Sequence, residues 1–154
     1  VINSYKFEKD IWFTERFKVY LPWKELIRKR AKILSTEEIE AHLSIEDFDK
    51  TIPYDVMQKC SEEFIFNNIE SLLKFRFSLF RYGKVNQDFV KKYAVPNDYY
   101  QIGFNENFSW SLSFVLNHLD YFDSIYSISQ NQKLYNTLFS NFEKNDLEQL
   151  LSSY

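Results

Sequence analysis

Two glycines, three prolines and one cysteine are all that 154 residues contain of the side chains that punctuate or cross-link a fold. Sheet proteins of this size spend more Gly and Pro on their turns, so this scarcity predicts few, long elements. The single Cys60 excludes an intramolecular disulfide and fits a reducing compartment. Two glycines, at 83 and 103, cannot build a phosphate-cradling loop or a dinucleotide fingerprint. No apolar run approaches the roughly 18–20 residues that cross a bilayer. The chain opens at Val1 without a charged segment leading into an apolar one, so no signal peptide is expected. A soluble, cytoplasmic protein with no membrane partner is the expectation.

Aromatic rings are abundant where small residues are scarce: 16 Phe, 11 Tyr and 3 Trp make up 19% of the chain, so the core must be built largely from rings. Phe, Tyr, Asn, Lys and Ile share AT-rich codons, which is the simpler source of this bias; an aromatic-rich binding surface is the other. A hydrophobic fraction of 45% and a charged fraction of 27% lie in the ordinary globular range, so residues 1–154 are read as a single domain.

Charge comes in alternating blocks. Residues 1–34 carry nine Lys/Arg against four Asp/Glu, and residues 35–63 carry two against nine. Residues 64–96 return to six against two, and residues 97–154 have two against seven. Local balances of +5, −7, +4 and −5 therefore hide beneath a net charge of −3. Fields of this kind steer encounters with charged partners.

Periodicity predicts an all-α single-domain bundle with two long central helices, about 54–82 and 107–129, under shorter covering helices. Residues 5–21 fit either a strand face or a helix, with the low turn content favouring helix. Pro22 suits a first helical turn. Trp23, Leu26, Ile27, Ala31 and Leu34 follow at helical spacing, with Lys24, Arg28, Lys29, Arg30 and Lys32 opposite. Ser35 with Glu38 reads as a capping box, and acids at the start of the next helix complement its dipole. Along 54–82 the inward stripe is Val56, Cys60, Phe64, Ile65, Ile69, Leu72, Leu73, Phe77 and Phe80, closed by Gly83 as the C-terminal cap. Asn86 or Asn97 caps short helices over 87–93 and 97–102, and Asn105 or Asn107 opens the second long helix. Helices over 131–142 and 145–152 complete the chain.

Chemistry is thin. Cys60 on an apolar stripe reads as an inert thiol rather than a nucleophile. His118 and Asp120 point apart on a helix and are not a metal pair. His42 with Glu38 or Glu46 is a weak single-histidine site. No catalytic residue, metal or cofactor is expected. The stronger feature is Glu37, Glu38, Glu40, Glu46, Asp47, Asp49 and Asp55, seven acids within 19 residues. Either they attract a basic protein partner, or they cap helices and pair with the basic blocks. Asp120 and Asp123 beside Tyr121 and Tyr126 form a smaller cluster of aromatic anchors with an acidic rim.

In its size, its acidic helical stretch from Ser35 to Asp55, its composition and its want of a catalytic motif, the chain resembles the immunity proteins of bacterial toxin systems, such as those of contact-dependent growth inhibition. The likeness is one of type across the whole chain, and no family residue is carried over. It implies tight binding to a cognate toxin domain, basic because many such toxins are nucleases, and inhibition by occlusion, with acids standing in for nucleic-acid phosphates. Two other classes stay open: a nucleic-acid-binding module using the Lys24–Lys32 and Lys74–Lys92 blocks, and an enzyme with an unfamiliar site around His42 or His118. The oligomeric state is left open.

Overall fold

Pro22 precedes the first described helix, where its carbonyl accepts from the amides of Glu25 and Leu26. The structure is a computed structural model that describes residues 21–122 and 125–140. The expectations for 5–20 and 145–152 lie outside the described residues.

Helix α1 (Trp23–Arg30) turns its basic residues outward and buries Ile27. A 3-10 turn, Ala31–Ile33, leads to α2 (Thr36–His42), whose start is the expected capping box. Ser35 accepts from the Glu38 amide at 3.2 Å, and the Glu38 carboxylate accepts from the Ser35 amide at 2.9 Å. Each of those groups would otherwise be an orphan of the first helical turn.

The all-α class holds: no strand occurs among the described residues. The two long helices do not hold as continuous elements. The stretch 54–82 divides into α3 (Tyr54–Met57), α4 (Glu62–Asn67), α5 (Ile69–Leu72), a 3-10 turn at Leu73–Phe75 and α6 (Arg76–Tyr82). Ser61 causes the first break. Its backbone is extended, its hydroxyl accepts from the Phe64 amide at 3.1 Å, and its own amide donates to Glu40. A second helix start, Ser-Glu-Glu, therefore sits inside the apolar stripe. The next break falls at Asn68, whose backbone leaves helical geometry while its backbone and side-chain amides both donate to the Phe64 carbonyl, at 3.1 and 2.9 Å. The stripe shifts accordingly. Phe75 is buried, and Phe77, expected inside, is 50% exposed.

Helix α6 is central as anticipated. It packs on α3 and on α8 (Tyr99–Gly103), and buries Ser78, Leu79 and Phe80. Ser78 pins the preceding loop by accepting from the Ile52 amide and sharing a hydrogen bond with Thr51. Gly83 ends α6 with extended rather than left-handed backbone, so a glycine is not needed there for its φ. Its use is close approach: a Cβ would lie 2.5 Å from the Leu79 carbonyl oxygen.

Asn86 caps α7 (Gln87–Tyr93), accepting from the Phe89 amide at 2.9 Å. Before α8, the 3-10 turn Pro96–Asp98 takes its start from Asp98, not Asn97. The second long helix is also divided. Residues 107–111 are irregular, Ser111 caps α9 (Leu112–Asn117), a 3-10 turn spans Leu119–Tyr121, and α10 (Ile125–Ser129) follows. Asn105 and Asn107 do not open a helix. Asn105, fully buried, donates to the Phe80 and Gly83 carbonyls at 2.9 Å, and Asn107 donates to Tyr82. They satisfy the carbonyls that α6 leaves unpaired at its C-terminus. Asn131 does the same for Gly103 and Asn105 while capping α11 (Gln132–Leu134), which continues as a π turn over Tyr135–Phe139. Buried residues from Ile27 to Leu134 form one contiguous hydrophobic cluster.

Candidate functional site

The acidic stretch is built on α2, on the 3-10 turn Ile45–Asp47 and on the start of α3. Much of it is structural. Glu38 completes the capping box, and Glu40 accepts from the Ser61 amide that opens α4. Asp47 pairs with Lys24 at 2.6 Å and Asp55 with Lys32 at 3.8 Å, which ties the first basic block to the acidic one. These pairs are largely solvent-exposed and each contributes little stability. Glu37 is exposed; its own backbone amide and then the Ser35 side chain hold its carboxyl below the usual range.

Glu46 and Asp49 differ from the other acids of the stretch in having neither an ion pair nor a hydrogen-bond donor among the described residues. Both are exposed and neither pairs with a cation among the described residues. Their neighbours Ile45 and Phe48 are buried, and Asp47 between them is held by Lys24. The turn therefore presents two uncompensated carboxylates from an anchored backbone.

The second cluster is not brought together with the first by any contact described. Asp120 and Tyr121 lie on the 3-10 turn after α9, both exposed. Asp123 lies outside the described residues. Tyr121 lines a cleft of about 250 Å³ together with Lys91, Ala94, Pro96, Tyr99 and His118. His118 stacks on Phe114 at 4.4 Å and on Tyr99 at 5.4 Å. Its Nδ1 lies 2.7 Å from the Phe114 carbonyl. A carbonyl only accepts, so the Nδ1–H is the donor in this contact. Burial, then the neighbouring Tyr121 and Asp98, push the Tyr99 hydroxyl above its ordinary value. Lys91 falls in the Lys74–Lys92 block and Tyr99 in the short helix expected over 97–102, and no spacing in the sequence places either beside His118 and Tyr121.

Other candidates resolve into structure. Cys60 is fully buried, and its thiol is pushed up to about 12, chiefly by burial and then by Glu40. Its Sγ donates to the Val56 carbonyl at 3.5 Å. His42 stacks on Trp23, ring centroids 4.0 Å apart and nearly parallel. No group of three or more His, Cys, Asp or Glu suited to a metal occurs among the described residues. No helix among them is long and apolar enough to cross a membrane.

Compared with protein-family models, curated proteins and solved structures, the chain matches none.

Proposed function

We propose that the protein acts by binding another protein, and that this partner is a basic toxin domain which it neutralises in the manner of an immunity protein. The observation that supports this reading is the anchored turn Ile45–Asp47 and the residues just after it, with Glu46 and Asp49 exposed and without an ion pair among the described residues. Charges held on a fixed backbone lose little freedom on docking, so they favour fast and tight association with a cationic surface. In this reading Asp47 holds the turn through Lys24, while Glu38 and Glu40 secure helix starts. The chain occludes the toxin and is not itself an enzyme.

The test is capture of a partner by the tagged chain in its native host, with the product of the adjacent upstream gene included. The expected result is a small basic protein at equal stoichiometry, toxic when expressed alone and harmless when co-expressed with this chain. Recovery of nucleic acid, or of this chain alone, overturns the reading.

A further inference from the structure

Four helices send aromatic side chains into one continuous row. Tyr54 of α3 meets Tyr82 of α6 at 5.0 Å, and Tyr82 meets Phe77 at 6.2 Å. Phe104, just after α8, meets Tyr100 at 5.3 Å and Tyr126 of α10 at 6.2 Å. Arg81 joins the two halves: its guanidinium carbon lies 4.3 Å from the Phe104 ring centroid, 5.6 Å from Phe77 and 5.7 Å from Tyr82.

These rings are not core. Tyr54, Phe77, Tyr100 and Tyr126 are 46%, 50%, 37% and 59% exposed, so each leaves much of its apolar area in water. Single exposed rings are ordinary, whereas a connected row of them marks an interaction surface. Arg81 carries the charge of the row. Its polar partner among the described residues is the Gln101 side chain at 3.1 Å, and no carboxylate pairs with it. Arg76, on the same helix, is by contrast clamped by Asp98. A guanidinium fixed over rings keeps a planar fork of donors ready for a carboxylate. Aromatic residues around an arginine are also the composition in which binding hot spots are enriched.

We propose that this row is a docking surface for a segment of another protein in which a carboxylate is flanked by apolar side chains. The carboxylate pairs with Arg81, and the apolar groups lie on Phe77 and Tyr82 to one side and on Phe104 and Tyr126 to the other. The rings meet their neighbours edge to face, at 69–79°, rather than as parallel platforms, and the row contains one cation. Both features favour a peptide over single-stranded nucleic acid, which asks for a cationic track with stacking faces. The surface is opposite in charge to the Glu46–Asp49 turn, so this proposal goes beyond the toxin-binding reading and stands without it.

The experiment is selection of a random dodecapeptide display library on the immobilised full chain, followed by affinity measurement of the synthesised consensus. The expected consensus holds Asp or Glu between large apolar residues, and Arg81→Gln lowers its affinity about tenfold or more. Tyr54→Ala and Tyr126→Ala, at residues 46% and 59% exposed, lower it as well and keep the test valid if Arg81→Gln does not fold. The double variant Glu46→Lys/Asp49→Lys leaves it unchanged. No acidic consensus, or a consensus whose binding survives all three substitutions in the row, overturns the proposal. So does tight binding of labelled decathymidylate that depends on the same residues.

Discussion

Cys60 shows how burial decides the chemistry of a single side chain. Its thiol is ordinarily a weak acid of pKa 9.0, and here it is pushed up to about 12 because the buried sulfur cannot carry charge cheaply. The folded state therefore holds its proton in a range where the unfolded chain releases it. That contribution to stability is fully present below pH 9.0 and is lost as the pH rises from there toward about 12. The Tyr99 hydroxyl, also raised, adds loss in the same direction above its ordinary 10.0. Thermal melts should fall steadily above pH 9, and Cys60→Ala should flatten the first part of that fall. A thiol reagent should modify native Cys60 far more slowly than the urea-unfolded chain; equal rates would contradict the burial. Asp98 is the second residue on which much depends. It accepts from Arg76 and from the Val95 amide while only 6% exposed. Asp98→Asn leaves the guanidinium facing a neutral amide, and urea unfolding should show a loss of about 3 kcal/mol.

At the scale of elements, the helices are short because their ends are specified from within. Ser35, Ser61, Asn86 and Ser111 each accept from the amide three residues ahead, and each starts a helix. Where α8 crosses α10, packing leaves no room for a side chain. A Cβ at Gly103 would lie 2.3 Å from the Ser127 hydroxyl oxygen and 2.7 Å from its Cβ. Gly103→Ala should cost about 1–3 kcal/mol in denaturant unfolding by overpacking. Adding Ser127→Ala should restore little of it, since the Ser127 Cβ remains, whereas Ser127→Gly should restore more. Full rescue by Ser127→Ala would place the clash in the hydroxyl alone.

Over the whole molecule, the charge blocks neutralise one another in part. Lys24 and Lys32 of the first block meet Asp47 and Asp55 of the second, and Arg76 of the third meets Asp98 of the fourth. Among the charges left without an ion pair in the described residues are two carboxylates at 46 and 49 and the Arg81 guanidinium in its row of rings. Reversing Glu46 and Asp49 to Lys should leave the melting temperature nearly unchanged, because neither supports another group. Stopped-flow measurement with the captured partner should show association slowed by roughly tenfold at low salt, with the difference shrinking as salt rises. An unchanged rate would remove the turn from the interface. Asp47 and Glu40 are poor choices for the same test, since each holds part of the fold.

The sequence by itself determined the helical class, the capping box at Ser35 and Glu38, the cap at Asn86 and the outward basic face of α1. Each depends on residues within one or two turns, so a short window contains the whole signal. It also contained the start at Ser61, overlooked because the apolar period runs straight across it. Tertiary structure alone decided that Phe75 turns inward and Phe77 outward, that Asn105 and Asn131 close the ends of distant helices, and which acids keep their charge free. Those outcomes are set between groups 20 or more residues apart in the chain, such as Asn105 and the Phe80 carbonyl or Lys24 and Asp47. The docking row is of the same kind: its rings come from four helices, and only their packing brings them around Arg81.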